Sequence, residues 1–496
     1  MKIRPIFISI VIIAFLGLNS CVTLEQNPVS GNKRAFGYTW EQEVQIGKDA
    51  DSEIIAQYGL YENEELTNYV SDLGQSLLEV SHLRREDTPQ KFRETEFTFR
   101  VLDSPVVNAF ALPGGYIYVT RGLLAHLNNE AQLAVVLGHE IAHVAARHAS
   151  QRAATQQFGQ LAVIGGAIIG ESLGYDGGSI LQLSGQTAQL LFLKYGRDAE
   201  RESDALGVEY SAMKNYQAAE GADFFTSLKR ISETQGGGIP TLLSSHPDPG
   251  EREETIPQLA QEWAERGYEQ TILDKEEFMG MIENIMFGDN PRQGFARDGI
   301  FYHPDLEFLF PVPSGFDLYN QPSAVIMVNE DQTAISQFTL DSENESPRTS
   351  VQTFLAQEGI TVESQTEYAE AGMNGYRGVA TAATQDGSEL KLQLTAIEYG
   401  GYIYRFLSYT SAAGYENYEA RFNSIPSGFQ ELQDESILNI EPVRLELITV
   451  SESGIFSEFL PNELPMNIEP IDVAIINQVE LDQTIERGTV LKMPVQ

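Results

Sequence analysis

The residues best suited to chemistry in this chain form one short cluster, His139-Glu140-Ile141-Ala142-His143. In an α-helix, residues four apart share a face, so His139 and His143 can direct both imidazoles at one metal ion. Glu140 lies beside that pair, where its carboxylate can accept a proton from a water held at the metal. A zinc ion with an open position lowers the pKa of its water to about 7. The spacing therefore predicts metal-assisted hydrolysis.

The stretch from Asn129 to Gln151 predicts the helix that carries this cluster. Asn129 is a suitable N-cap with Gln132 three residues on, and mainly apolar residues follow. Such five-residue patterns also arise by chance, so the prediction depends on a third ligand elsewhere in the chain. His148 does not qualify, because it would lie about 140° around the same helix from His143.

A second predicted helix, beginning near Arg197, offers that third ligand. Glu200 and Asp204 are four residues apart and share a face of this helix. One carboxylate can bind the metal while the other accepts a hydrogen bond from a ligand histidine. The alternative for such an acidic run is a solvated helix face without a metal.

Four segments together resemble peptidase family M48, a family of zinc metallopeptidases. They occur in the family's order, at residues 108–115, 138–148, 200–204 and 245–252. The resemblance implies that His139, His143 and Glu200 bind one zinc ion per chain. It also implies that Glu140 is the general base and that Asp204 orients a ligand histidine.

Further site residues follow from the same resemblance. His246 matches a loop histidine that in relatives approaches the metal, where it blocks the site or stabilises an oxyanion; a solvent-facing turn residue is the alternative. Arg252 can reach the site, although an exposed arginine is the more common outcome. The strand with Asn108, Ala109 and Phe110 is expected beside the active helix, with a free edge that binds extended peptide by strand addition.

Composition limits the partners. The 496 residues include 71 acidic and 32 basic side chains, for a formal charge of −39. Such a charge repels nucleic acid and anionic membrane surfaces, so neither is an expected electrostatic partner.

The N-terminus predicts a lipoprotein signal peptide over residues 1–20. Lys2 and Arg4 precede an apolar run that is too short to span a bilayer. The run ends at Leu18-Asn19-Ser20-Cys21, which resembles a bacterial lipobox, so Cys21 is the predicted lipidation site and the only predicted membrane contact. Val22 after the cysteine favours the outer membrane, with the protein facing the periplasm.

The predicted fold class is α+β. A mostly helical, zincin-like (gluzincin) peptidase domain with a small edge sheet is expected at 38–297, after a tether at 21–37. An antiparallel α+β domain that resembles PsbP follows at 298–440, and a LysM-like βααβ module at 441–496. The apolar run Leu161–Ile169 is expected to form a buried helix or a lid. The module lacks the G-D-T segment of LysM, so the alternatives are weak peptidoglycan contact and a structural cap.

The predicted function is a lipid-anchored zinc endopeptidase that acts on unfolded or misassembled envelope proteins. The alternative is a chaperone-like or cell-wall-binding scaffold whose zinc site is normally plugged.

Overall fold

The computed structural model describes residues 23–163, 195–234, 246, 249–383, 388–466 and 468–496. The predicted signal peptide, Cys21 and most of the predicted lid lie outside these ranges. Among the helices that are described, none combines the length and the apolar composition needed to cross a bilayer.

The first part of the chain is mostly helical. Its elements are β1 (Thr23–Gln26), β2 (Lys33–Phe36), α1 (Trp40–Tyr58), α2 (Glu64–Val80), α3 (Gln90–Arg93), β3 (Thr98–Leu102), β4 (Ala109–Leu112), β5 (Tyr116–Thr120), α4 (Arg121–His126), α5 (Glu130–Ala146), α6 (His148–Val163), α7 (Arg197–Met213), α8 (Gly221–Thr234), α9 (Pro249–Glu265) and α10 (Lys275–Ile282). Strands β3, β5 and β4 form a small sheet in that order, with β3 parallel and β4 antiparallel to the central β5. The predicted edge sheet is therefore present, and β4 lies at its edge.

The segment predicted as a tether is instead folded from residue 23 onwards. Strands β1 and β2 pair in an antiparallel hairpin that docks on the C-terminal end of α5. The Asn27 side-chain amide donates to the Ala146 carbonyl at 2.8 Å. The Arg147 guanidinium donates to Glu25 at 2.7 Å and to Glu43 at 2.6 Å. These buried polar contacts give the segment a fixed place, which its polar composition alone did not indicate.

Helix α5 ends at Ala146, five residues before the predicted end at Gln151. Arg147 takes the left-handed conformation, with φ of 60°, and α6 starts afresh at His148. That backbone costs a non-glycine residue roughly 1–2 kcal/mol. The ion pairs of the buried Arg147 guanidinium with Glu25 and Glu43 offset this cost. The guanidinium also stacks on the Phe36 ring, 3.8 Å from its centre. The prediction of one continuous helix was wrong, because the contacts that break it come from distant residues.

The second part of the chain is a mainly antiparallel α+β unit, as predicted. Its elements are β6 (Phe295–Arg297), β7 (Ile300–His303), β8 (Phe308–Pro311), β9 (Phe316–Gln321), β10 (Ala324–Asn329), β11 (Ala334–Asp341), α11 (Pro347–Leu355), β12 (Ile360–Tyr368), β13 (Asn374–Ala383), β14 (Glu389–Tyr399), β15 (Tyr402–Ser411), α12 (Tyr415–Ser427), β16 (Gln430–Glu431) and α13 (Glu435–Leu438). A seven-stranded sheet has the order β12-β13-β14-β15-β11-β10-β9, and a four-stranded sheet the order β16-β8-β7-β6. Buried aromatic side chains such as Phe308, Phe338 and Phe406 fill a core that belongs to this unit alone.

The last part of the chain returns to the helical part. It contains β17 (Arg444–Thr449), β18 (Gly454–Ile455), α14 (Pro470–Ile476), β19 (Thr484–Ile485) and β20 (Val490–Val495). Strand β17 pairs with β20, and Leu445, Val473 and Ile476 belong to the same hydrophobic core as Leu137 of α5. The segment predicted as a LysM-like module therefore shares one continuous core with the helical first part of the chain.

Polar contacts also join these two parts. Phe287 N donates to the Val443 carbonyl at 2.8 Å, which brings the chain before and after the second unit side by side. The fully buried Lys492 amine donates to the carbonyls of Ala125 at 2.7 Å and Leu127 at 2.8 Å, at the C-terminal end of α4. The α+β unit is thus inserted between two pieces of a single folded body.

Candidate metal centre

Two glycines let the helices with the candidate ligands approach closely. A Cβ on Gly138 of α5 would lie 2.9 Å from the Gly207 carbonyl oxygen of α7, and a Cβ on Gly207 would lie 2.9 Å from His139 N. Only glycine fits both positions without moving a helix. This backbone contact places the first turns of α7 beside the His139 turn of α5.

The predicted ligands come together in a buried cluster. The Nε2 atoms of His139 and His143 are 2.9 Å apart, and each lies 3.5 Å from a carboxylate oxygen of Glu200. His246 joins them, with its Nδ1 3.3 Å from His139 Nε2 and 3.2 Å from Glu200. One ligand atom from each of the four residues lies within 4.8 Å of the others. His246 is therefore not the solvent-facing residue that was the alternative.

The charges of the cluster favour a cation at its centre. Burial alone would lower the pKa of His139, but the carboxylates of Asp204 and Glu200 raise it to about 9. Burial also opposes ionisation of Glu200, yet the surrounding imidazoles, led by His246, hold its pKa well below the usual range. Either a proton or a metal ion can supply the positive charge that the carboxylates favour, so the two compete for the histidine nitrogens.

Glu140 lies beside the four clustered ligand side chains and is not one of them. Its carboxylate is buried, and its Oε2 has no hydrogen-bond partner within the described ranges. Its Oε1 lies 3.8 Å from His246 Nε2. Burial raises the pKa of Glu140 against the opposing charge of the nearby imidazoles. A buried carboxyl group whose pKa is raised is a stronger base than an exposed one, which suits it to take up and return a proton.

Asp204 and Arg252 contact the candidate ligands His139 and Glu200 on the side away from the cluster centre. Asp204 Oδ1 lies 2.9 Å from His139 Nδ1, the ring nitrogen that faces away from the cluster. The Arg252 guanidinium donates to Asp204 at 2.8 Å and to Glu200 at 2.5 Å, and its side chain is only 3% exposed. The expectation of an exposed arginine as the more common outcome was wrong here. The ion pairs with two buried carboxylates account for its burial.

We expect Arg252→Met to destabilise the metal-free protein by about 3–5 kcal/mol, because it leaves two buried carboxylates without their cation. Urea unfolding at neutral pH measures the change. Arg266→Met is the matched control, since that guanidinium is 57% exposed and pairs with an exposed Glu262; we expect less than about 1 kcal/mol there. Equal losses in the two variants would contradict the bridging role.

Two residues near the ligands were missed by sequence reasoning. His148 is buried, with its Nδ1 3.0 Å from His143 Nδ1. It reaches this position because α5 ends at Arg147, a break that no glycine, proline or asparagine marks in the sequence. Tyr195 stacks on the His143 ring, with centroids 4.1 Å apart and planes at 28°. One indication in the sequence that Tyr195 lies near the ligands was its position just before α7.

The predicted substrate strand lies beside α5 as expected, at the edge of its sheet. Ala109 packs into the core on the α5 side, whereas Phe110 faces the other way and stacks on Tyr118 at 4.8 Å. The buried Asn108 Oδ1 has no hydrogen-bond partner among the residues described. Side chains of Ala109 and Phe110 are thus committed to packing, and the backbone edge is what this strand can offer to a peptide.

The donor set fits zinc. Two imidazoles and a carboxylate supply three buried ligands. Beside them lies Glu140, whose Oε2 has no hydrogen-bond partner among the residues that the structure describes. The class of protein that this site defines is a metalloendopeptidase. Residues 72–260 match the model of Peptidase family M48, and the ligand-bearing helices lie within that range. The match to this family's model therefore covers the ligand-bearing part of the chain, as the sequence resemblance predicted.

Individual relatives agree with this assignment. The chain is 27% identical over 247 residues to the mitochondrial metalloendopeptidase OMA1 of Schizosaccharomyces pombe, across 47% of this chain and 67% of that protein. It is 26% identical over 215 residues to the beta-barrel assembly-enhancing protease of Escherichia coli, across 42% of each. The chain spans between 30% and 42% of the length of several other curated relatives.

A solved structure of cyanobacterial PsbP from Synechocystis is similar over 27% of this chain and 91% of its own, with 12% identity. Its TM-score is 0.23, which is too low to assign a fold. The PsbP-like and LysM-like interpretations stay predictions.

Proposed function

We propose that this protein is a zinc-dependent endopeptidase of the bacterial cell envelope that cleaves unfolded or misassembled proteins. The observation that carries the proposal is the buried convergence of His139, His143 and Glu200 beside Glu140, whose Oε2 has no hydrogen-bond partner among the described residues. The name of the Escherichia coli relative, a beta-barrel assembly-enhancing protease, supports the envelope as the place of action. The lipobox-like residues up to Cys21 support a lipid anchor facing the periplasm.

The chain's own residues supply proton transfer and orientation. Zinc held by His139, His143 and Glu200 would acidify the attacking water and polarise the scissile carbonyl. Glu140 accepts a proton from that water at its Oε2 and returns it to the leaving amine. Asp204 and Arg252 keep His139 and Glu200 oriented while this happens, because their contacts lie on the far side of the ligands.

The edge of β4 favours substrates with extended segments. Strand addition needs a peptide whose backbone N–H and C=O groups are free, which unfolded chains have and compact domains lack. This preference agrees with clearance of proteins that failed to fold or assemble.

The position of His246 supports one alternative function, a scaffold protein whose zinc site is blocked. The Nδ1 of His246 lies among the ligand atoms. A His246 that stays there as a fourth ligand would block the open position that a zinc peptidase needs, whereas one that moves aside could stabilise the oxyanion. A protein in which it never withdraws would act through binding alone, by means of the inserted unit.

Excision of the inserted unit separates the two functions. Phe287 and Val443 are hydrogen-bonded neighbours, so Gly288 can be joined to Glu441 by a short Gly-Ser linker. We expect the shortened protein to fold and to cleave unfolded casein at a rate similar to the full chain, with complete inhibition by a chelator. The matched control is truncation after Arg297, which also removes the core residues Leu445 and Val473 and should unfold the protein.

In cells, the excision variant and Glu140→Gln together distinguish the peptidase from the scaffold. The peptidase proposal requires that the cellular phenotype depends on Glu140. A phenotype that survives Glu140→Gln but is lost on excision of 289–440 would favour the scaffold.

A further inference from the structure

His143 contacts a second histidine through the ring nitrogen that faces away from the ligand cluster. Its Nε2 points towards Glu200 and His139, while its Nδ1 lies 3.0 Å from His148 Nδ1. The other nitrogen of His148, Nε2, lies 3.1 Å from Glu202 Oε2. Together His143, His148 and Glu202 form a chain of contacts, called here the relay, that runs from the ligands to a carboxylate 30% exposed at the surface.

The relay fixes which nitrogen of His143 carries the proton. A carboxylate accepts hydrogen bonds, so the contact with Glu202 places the proton of neutral His148 on its Nε2. His148 Nδ1 is then bare and must accept, which requires His143 to donate from its own Nδ1. His143 Nε2 is left with its lone pair directed at the cluster, and this is the tautomer that binds a metal. Ser203 Oγ, 3.4 Å from His148 Nδ1, offers the same nitrogen a second donor.

The two ligand histidines are therefore held by different means. His139 has a carboxylate, Asp204, at its Nδ1, whereas His143 reaches its carboxylate through a second imidazole. The break at Arg147 makes this possible, because it turns the chain so that the first residue of α6 faces back onto α5.

We propose that His148 and Glu202 are positioning residues that hold His143 in its metal-binding tautomer. The inference rests on the zinc site of the proposed peptidase, but not on its substrate or its place of action.

The first test compares two variants of His148 that differ in one acceptor. His148→Asn puts an amide oxygen close to the position of the lost Nδ1, whereas His148→Leu removes the acceptor. We expect His148→Leu to weaken zinc binding by about 10–100-fold, the usual effect of losing a ligand's outer partner. His148→Asn should stay close to the unaltered protein. The zinc Kd is measured on the full chain by competition with a chromophoric chelator, with circular dichroism to confirm folding.

His126→Leu is the matched control, since His126 is also largely buried but bonds to the Gly122 carbonyl instead of a ligand. It should lower the Tm without changing the zinc Kd. Unchanged zinc affinity in His148→Leu would overturn the proposal, and so would equal weakening in the Leu and Asn variants, which would indicate packing alone.

Glu202 supplies a second pair if His148→Leu does not fold, since its side chain is partly exposed. Glu202→Leu should weaken zinc binding and Glu202→Gln, which keeps an acceptor oxygen, should not; the same affinity in both variants would overturn the relay. These zinc-affinity results can be distinguished from a failure of the proposed peptidase function. Loss of cleavage with intact zinc binding in the unaltered chain counts against the peptidase and leaves the relay standing.

Discussion

Glu140→Gln is expected to abolish peptide-bond cleavage while zinc stays bound. The amide keeps the size and shape of the carboxylate but cannot take a proton, and general-base catalysis contributes about 10²–10⁴-fold to such reactions. Zinc content should be unchanged because Glu140 is not among the four clustered ligand side chains. The measurements are the initial rate on unfolded casein and the zinc content by elemental analysis.

Glu130→Gln is the matched control for this substitution. Glu130 lies in the first turn of the same helix, is buried, and accepts hydrogen bonds from Tyr69 and Tyr216 on its two oxygens. A glutamine can still accept one of them at its oxygen and donate from its amide nitrogen to the other hydroxyl. We expect its cleavage rate to stay near that of the unaltered protein. A Glu140→Gln protein that cleaves at the native rate would remove Glu140 from the mechanism, whatever the control shows.

Glu200→Gln should lose zinc itself. Glu200 supplies the only carboxylate in the cluster, so the substitution removes a ligand and the negative charge that offsets the ion. Loss of an outer partner weakens metal binding by about 10–100-fold, and loss of a ligand should exceed that range. The zinc Kd by chelator competition measures the effect, and cleavage should fall in parallel.

Glu209→Gln provides the comparison on the same helix. Its carboxylate pairs with Arg85, away from the cluster, and zinc affinity should not change. Should Glu200→Gln retain full zinc occupancy at nanomolar metal, Glu200 is not a ligand and the assignment of the site is wrong.

The candidate ligands could be predicted from the sequence because their arrangement within each helix depends on local geometry. His139 and His143 are one helical turn apart, as are Glu200 and Asp204, and the four-residue spacing alone places each pair on one face. The helix cap at Asn129 was equally local, and its side chain accepts the expected backbone hydrogen bond from Gln132. Meeting of the two helices was inferred from family resemblance and not from spacing.

What the sequence did not predict depends on contacts between distant residues. The end of α5 at Arg147 needs Glu25 and Glu43, more than one hundred positions away. That break in turn places His148 against His143, a contact that a continuous helix would not allow. His148 is nevertheless not among the four clustered ligand side chains, so its exclusion as the third ligand agrees with the structure. The shared core of residues 441–496 was equally hidden, since strand and helix patterns show that an element buries one face but not against which partner.

The docked hairpin determines how far the catalytic site can reach. Strand β1 begins at Thr23, only two Cα–Cα steps after Cys21, and β1 and β2 are fixed to the end of the helix that carries both ligand histidines. An acyl chain on Cys21 would be separated from this rigid body by about 7 Å of backbone. With so short a connection, the site would stay close to the anchor, because no long flexible linker would separate the two. With the proposed anchor, substrates would have to come within a few nanometres of the lipid surface to be cleaved.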